Sequence, residues 1–255
     1  MITDATTGNT DIWIEEIDGE RPQRLTFDST HEGNPTWFPD GSRLVFNSTR
    51  KGVRDLLWKA ANGSGASSVL LESGANKYPQ DISPDGRYLI YTDTNSSSGD
   101  YDLWLVPIGD GPARPFIAAE GNQAFAQFSP DGRWLAYDSD ETGRAEVYVT
   151  PFPKRDSKWQ VSQQGGMMPK WRGDGREIFY LSQDHRTVLA AEVSPTEESF
   201  RVTRTSTLFT TRPITGMGYP YDVSADGERF LFVTTLGEAS SPLTLVTNSI
   251  AERKK

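Results

Sequence analysis

One twelve-residue pattern recurs five times along the chain, and it constrains the fold more than any other feature. The copies run Pro35-Thr-Trp-Phe-Pro-Asp-Gly-Ser-Arg-Leu-Val-Phe46, Gln80-Asp-Ile-Ser-Pro-Asp-Gly-Arg-Tyr-Leu-Ile-Tyr91 and Ala126-Gln-Phe-Ser-Pro-Asp-Gly-Arg-Trp-Leu-Ala-Tyr137. Two looser copies follow, Pro169-Lys-Trp-Arg-Gly-Asp-Gly-Arg-Glu-Ile-Phe-Tyr180 and Tyr221-Asp-Val-Ser-Ala-Asp-Gly-Glu-Arg-Phe-Leu-Phe232. Their aspartates, Asp40, Asp85, Asp131, Asp174 and Asp226, stand 45, 46, 43 and 52 residues apart. A fixed period of this size means one supersecondary unit repeated, each unit burying its apolar face against the next.

Each copy reads as a hairpin. Asp-Gly between two apolar runs predicts a type I′ turn, with positive φ at both central residues. Pro39, Pro84 and Pro130 fix φ and cannot donate to a ladder, which suits a strand end. After the turn Leu44, Leu89, Leu135, Ile178 and Phe230 recur in register, and two residues later Phe46, Tyr91, Tyr137, Tyr180 and Phe232 form an aromatic column. That period of two predicts a strand with a buried face. A third strand is expected at Asp55-Leu-Leu-Trp58, Asp102-Leu-Trp104 and Glu146-Val-Tyr148. Asn62-Gly63 and Asp110-Gly111 then turn the chain into fourth strands at Ser68–Leu71 and Arg114–Ile117. Four strands, A to D, repeated at this period make a propeller blade. Nothing along the chain shows helical apolar periodicity.

The ends refine the count. Residues 11–26 read as a C–D hairpin turning at Asp18-Gly19, without strands A and B, and Leu243–Asn248 reads as a C strand without a D. That gives 21 strands, three fewer than six blades need, so a six-bladed parent shortened at its N-terminus is expected, with a five-bladed domain as the alternative. The expected repeats are 1–30 (partial), 31–74, 75–120, 121–164, 165–212 and 213–255 (partial), in one domain spanning 1–255.

The Ser-Pro-Asp-Gly-Arg core, the aliphatic–aromatic pair after it and the Asp-Leu-Trp strand resemble the WD-like repeats of TolB-type β-propellers. The resemblance covers nearly the whole chain. The fourth copy departs from it with Arg172-Gly173 in place of Ser-Pro, and the fifth has Ala225 in place of Pro. The resemblance implies an all-β six-bladed propeller with one incomplete blade. It implies a non-catalytic module that binds a protein, peptide or other ligand, in a periplasmic or extracytoplasmic setting. The last strand and the basic tail Arg253-Lys-Lys255 look most like the C-terminal propellers of bacterial serine/threonine kinases, which implies a sensor or interaction domain of an exported or membrane-tethered protein. A gating propeller beside a prolyl-oligopeptidase-like catalytic domain is the alternative, and a lyase- or lactonase-like propeller with a central metal is a third reading. Fold does not choose among them.

Composition narrows the field. With 35 acidic against 26 basic residues, the net charge of −9 repels phosphate backbones, so no nucleic-acid partner is expected, and Arg50, Lys51 and Arg54 read as a solvated loop. The chain has no cysteine, which removes disulfides, thiolate zinc sites and thiol nucleophiles together. No apolar run reaches 18 residues, so no membrane insertion is expected, and the polar start Met1–Asp11 has no signal-peptide core. There is no Gly-x-Ser-x-Gly elbow, phosphate-binding loop or kinase catalytic loop. His31 and His185, the only histidines, lie in different repeats. Neither a catalytic residue nor a cofactor is expected. Asp138-Ser-Asp140-Glu-Thr-Gly143 resembles the front of a calcium loop but has Val149 where the bidentate glutamate belongs, so a surface turn is expected there and no metal. Asp93-Thr-Asn95 is weaker still. Asn47-Ser-Thr49, Asn62-Gly-Ser64 and Asn95-Ser-Ser97 match glycosylation sequons and read as turns.

Candidate binding residues come from aligning the D-to-A loops, since propellers bind at the ends of the channel where strand A begins. Nine residues before each Asp-Gly stand His31, Asn76, Asn122, Gly165 and Met217; eight before stand Glu32, Lys77, Gln123, Gly166 and Gly218. Four before, Thr36, Asp81, Gln127, Lys170 and Asp222 form a polar stripe flanked by apolar residues. Buried polar groups need partners or water, so the stripe is expected to face the channel and to suit a peptide or polar ligand, with a hydrated, empty channel as the alternative. The ligand-binding set is therefore His31, Glu32, Thr36, Lys77, Asp81, Gln123, Gln127, Lys170 and Asp222. The Gly-Met-Met168 and Gly-Met-Gly-Tyr219 loops offer soft apolar contact beside it. An incomplete blade leaves strand edges open to association.

Overall fold

The computed structural model describes residues 2–3, 8–16, 22–94, 99–196, 199–211 and 220–233. The expected turn at Asp18-Gly19, the sequon at Asn95, the loop residues Met217 and Gly218, the strand Leu243–Asn248 and the basic tail lie outside them. Every regular element among the described residues is a strand. The chain forms two compact units, Met1–Ala119 and Glu120–Lys255.

The first unit opens with four short strands, β1 (Ile2–Thr3), β2 (Thr10–Asp11), β3 (Trp13–Ile14) and β4 (Gln23–Arg24). β3 and β4 make the expected C–D hairpin. β1 pairs antiparallel with β2 in the place of a B strand, which sequence pattern does not reveal because two residues carry no readable alternation. Two full blades follow. The first is β5 (Glu32–Trp37), β6 (Arg43–Ser48), β7 (Asp55–Ala60) and β8 (Ser68–Leu71); the second is β9 (Lys77–Ile82), β10 (Tyr88–Asp93), β11 (Asp102–Pro107) and β12 (Arg114–Ile117). The second unit holds β13 (Gln123–Phe128), β14 (Trp134–Ser139), β15 (Glu146–Pro151) and β16 (Trp159–Gln160), then β17 (Met167–Trp171), β18 (Glu177–Leu181), β19 (Thr187–Pro195) and β20 (Phe200–Thr210), then the hairpin β21 (Tyr221–Val223) and β22 (Phe230–Phe232). Within each four-stranded sheet, spatial order follows chain order and all pairs are antiparallel.

The turns differ from the expected type. Only the glycine of each Asp-Gly pair has positive φ, +72° at Gly86 for example, while the aspartate does not. The Gly86 N–H donates to the Ser83 carbonyl at 2.7 Å, and the Ser83 N–H to the Tyr88 carbonyl at 2.8 Å. This is a type I turn followed by a left-handed glycine, the three-residue hairpin loop. The turn forms with or without the preceding proline, and the aspartate fits it in every copy: Asp40, Asp85, Asp131, Asp174 and Asp226 each accept the N–H two residues on. Side chains lock the loop. The Ser83 hydroxyl donates to Asp85 Oδ1 at 2.6 Å and accepts the Tyr88 N–H at 3.0 Å, while the Arg87 N–H donates to the same Oδ1 at 3.0 Å. Ser129–Asp131 and Ser224–Asp226 repeat the device, and Ser182–Asp184 uses it with His185 in the left-handed position at φ +56°.

Strand B is buried over almost its whole length in every full blade, on both faces and not one. Within each unit neighbouring blades pack face to face, β5–β7 against β9 and β13–β15 against β17, which covers these B strands on both sides. In the first unit Phe38, Val45, Leu56, Ile82, Leu89 and Tyr91 form one such layer. In the second, Trp134 meets Trp159 and Phe200 with ring centroids 5.5 Å and 5.4 Å apart. The aromatic column is enclosed from Phe46 to Phe232.

Candidate functional site

Two columns of candidate residues on strand A have different fates. Glu32, Lys77 and Gln123 open β5, β9 and β13 and are fully enclosed, each at 0% exposure. Each reaches backwards and ties down the loop that enters its blade. The Lys77 ammonium donates to Asp55 Oδ1 at 3.0 Å and to the Ala75 carbonyl at 2.8 Å. The Gln123 amide donates to the carbonyls of Glu120 and Gly121 at 3.2 Å and 3.1 Å. Glu32 Oε1 accepts from Arg50 at 3.1 Å, and burial raises its carboxyl above the ordinary range while Thr26 pulls the other way. Asp55 also accepts the Ser73 N–H. In other blades the acid that opens strand C does the same work: Glu146 takes the Ser162 hydroxyl and the Gly165 N–H, and Asp11 takes Arg24. Exposed His31 is fixed through its backbone, which exchanges hydrogen bonds with Thr49.

The second column is half open. Thr36, Asp81, Gln127 and Lys170 are half-buried and Asp222 is exposed. Asp81 and Asp222 each accept the N–H of the following residue, at 2.9 Å and 3.0 Å. In the second unit, Gln127 Oε1 accepts the Trp171 N–H at 2.7 Å, and Lys170 pairs with Asp222 at 3.2 Å. Lys170 and Asp222 thus join two stripe residues of adjacent blades, while Gln127 bonds the backbone of the neighbouring strand A.

Between the two columns strand A breaks register. β5, β9, β13 and β17 all carry a bulge against strand B. Asn34, Phe125 and Met168 stand there at φ +51°, +48° and +57°. Left-handed φ is rare for bulky residues and persists only where the surroundings impose it. The surroundings are visible at Met168: its N–H donates to Asp138 Oδ2 at 2.8 Å, and its carbonyl accepts the Tyr221 hydroxyl at 2.6 Å. Burial pushes the Asp138 carboxyl up to about 7, with the Met168 N–H acting in the opposite direction. Asp140 takes the Asn122 N–H and Glu141 pairs with Lys158, so the three acids of the calcium-like sequence serve three separate partners.

The same end of the first unit carries a cluster that the sequence did not announce. Asn47 is buried on β6, and its amide donates to Asn34 Oδ1 at 3.1 Å and to the Lys77 carbonyl at 3.2 Å. Arg54 reaches Asn47 Oδ1 at 3.5 Å and lies over the Tyr78 ring, 5.7 Å from its centroid. Tyr78 meets Tyr101 edge to face at 6.4 Å, and Tyr101 is 41% exposed. Arg54 is therefore part of an ordered surface and not a loose loop charge. Its only sequence signal is an aromatic just before strand C and another just inside strand A, which is too weak to find alone.

Comparison with known proteins places this geometry. The profile of the TolB beta propeller domain family (PD40) matches residues 1–98. The Tol-Pal system protein TolB of Desulfosudis oleivorans is 32% identical over 100 residues, which is 39% of this chain and 22% of that protein. Crystallographic TolB from Acinetobacter baumannii superposes with a TM-score of 0.71 at 18% identity, over 88% of this chain and 54% of its own. The fold is that of TolB-like propellers. Putative TolB from Agrobacterium tumefaciens agrees, with a TM-score of 0.65 at 17% identity over 81% of this chain and 77% of its own. The chain spans about half the length of the Acinetobacter TolB it matches. Among the described residues of this propeller no helix is long and apolar enough to cross a membrane, and no three His, Cys, Asp or Glu side chains converge on a metal position.

Proposed function

We propose that this propeller is a non-catalytic module that binds a protein or peptide, through the end of the blades where strand A begins. The observation that carries the reading is the ladder Asn34–Asn47–Arg54–Tyr78–Tyr101, which ends in a half-exposed tyrosine held by an edge-to-face contact. Tyrosine and arginine are enriched among the few residues that carry most of an interface's energy, but ordering an arginine side chain has an entropic cost. Fixing them before binding removes part of that cost. Thr36 and Asp81 supply polar contacts on the same strands as Asn34 and Tyr78, with His31 bordering them, and Gln127, Lys170 and Asp222 hold the equivalent positions in the second unit. Glu32, Lys77 and Gln123 act one step back, by holding the entry loops in place. The likeness to a Tol-Pal system protein supports an extracytoplasmic partner and a place within a larger, exported or membrane-tethered bacterial protein. A sensor domain of six blades fits the same reading.

Arg54→Ala/Tyr101→Ala tests it. With the native chain as bait in an envelope extract of its own host, one protein partner is expected with the wild type and its recovery should fall about tenfold or more with the variant, at unchanged melting temperature. Equal recovery by both proteins overturns the assignment.

A further inference from the structure

The outer strands of the four full blades are unequal. β8, β12 and β16 have 4, 4 and 2 residues, whereas β20 has 11. β20 is the last strand of its sheet and pairs on one side only, with β19, among the described residues. Proteins commonly keep edge strands short, because a long edge offers a row of unpaired N–H and C=O groups to any extended chain. β20 combines that length with a Thr-rich sequence that also carries two Phe.

Charge says which chain it suits. In a molecule of net charge −9, β20 carries Arg201 and Arg204 and no acidic residue. Both arginines are exposed. A bulge at Thr203 decides their direction: Arg204 pairs with Glu192 and Arg201 with Ser194 on β19, two positions that share one face of the sheet. The bulge thus brings together two cations that a regular strand would place on opposite faces. Between that bulge and the next, residues 204–207 pair in unbroken register and give a flat stretch to build on.

We propose that the outer edge of β20 takes up an extended acidic peptide as a fifth strand, with carboxylates at alternating positions facing Arg201 and Arg204. Main-chain hydrogen bonds supply the affinity, and the arginine pair supplies the selectivity. A second copy of this chain is the poorer occupant, since two β20 edges bring four arginines together against one Glu192 on each β19, 3.9 Å from Arg204. This surface is separate from the Tyr101 cluster, so the two readings stand or fall independently.

Hydrogen exchange of the whole chain tests the proposal, with a twelve-residue alternating Glu-Val peptide as probe and the matching Lys-Val peptide as control. Slower exchange confined to residues 200–210 is expected with the acidic peptide and not with the basic one. Arg201→Glu/Arg204→Glu should weaken binding about tenfold or more at unchanged melting temperature and bring the basic peptide into play. No protection at 200–210, protection elsewhere only, or equal protection by both peptides overturns the proposal. Slow exchange at 200–210 that grows with protein concentration, without peptide, also overturns it and assigns the edge to self-association.

Discussion

The two ends of a blade are built on different physical terms. At the hairpin end, the Ser-Pro-Asp-Gly turn is closed by bonds between residues two to five apart, as in Ser83–Asp85 and Ser83–Tyr88. At the entry end, Lys77 finds Asp55 22 residues away, and Met168 finds Asp138 at a separation of 30. The first end is local chemistry repeated, and it holds whatever the rest of the chain does. The second exists only when neighbouring elements are already in place, and it is where buried charge and left-handed backbone collect. Strain and desolvated charge at one end of a repeat are the usual marks of a surface that binds.

The difference can be attacked directly. Lys77→Ala strands the buried carboxylate of Asp55, which is 5% exposed, and should lower stability by about 3–5 kcal/mol in urea titration. Adding Asp55→Leu should recover part of that loss, since the stranded charge goes with it. A small effect of the single variant would show that the entry end is not held by this pair.

Asp138 gives the next largest effect. Its folded-state pKa of about 7 lies above its ordinary 3.8, so between those values the folded chain holds a proton that the unfolded chain has released. Stability therefore falls as pH rises from about 4 to 7, by up to about 1.4 kcal/mol per unit, and this contribution levels off above 7. Asp140 faces the same carboxyl and adds to the rise. Asp138→Asn should flatten the pH dependence of the urea midpoint across that range; an unchanged slope would assign the titration to another group.

The hairpin end should respond least. Gly86 sits at φ +72°, and a methyl group added to its Cα would meet nothing within 4 Å, so Gly86→Ala costs backbone strain alone, about 1 kcal/mol. Arg87→Ala removes an exposed side chain that pairs with Asp85 and lies over the Tyr88 ring at the surface, and the melting temperature should hardly move. A larger loss from either than from Lys77→Ala would invert the comparison.

The same contrast explains what is legible in the sequence. Ser68–Leu71 and Arg114–Ile117 coincide with β8 and β12, because turn residues and apolar alternation are local signals. Asp-Gly weighed without the aspartate's own bond to the N–H two residues on points to the wrong turn type. Alignment finds the polar columns but not their roles: counting back from a turn cannot show that Lys77 is enclosed at 0% exposure while Asp222 is exposed. The bulges that separate the columns leave no pattern, since Asn34, Phe125 and Met168 share no chemistry and are forced into one conformation by their neighbours. β1 and the length of β20 escape for a related reason, as two residues are too few to alternate and polar threonines hide an edge strand.

The most direct test of an entry-end binding surface places a photoreactive benzophenone side chain at one of two positions in a single blade, Tyr101 at the entry end or Arg87 at the hairpin end, and irradiates each variant in its own host. A protein adduct is expected from position 101 and none from 87. An adduct from 87 alone would contradict the assignment and move the binding surface to the opposite end of the blades.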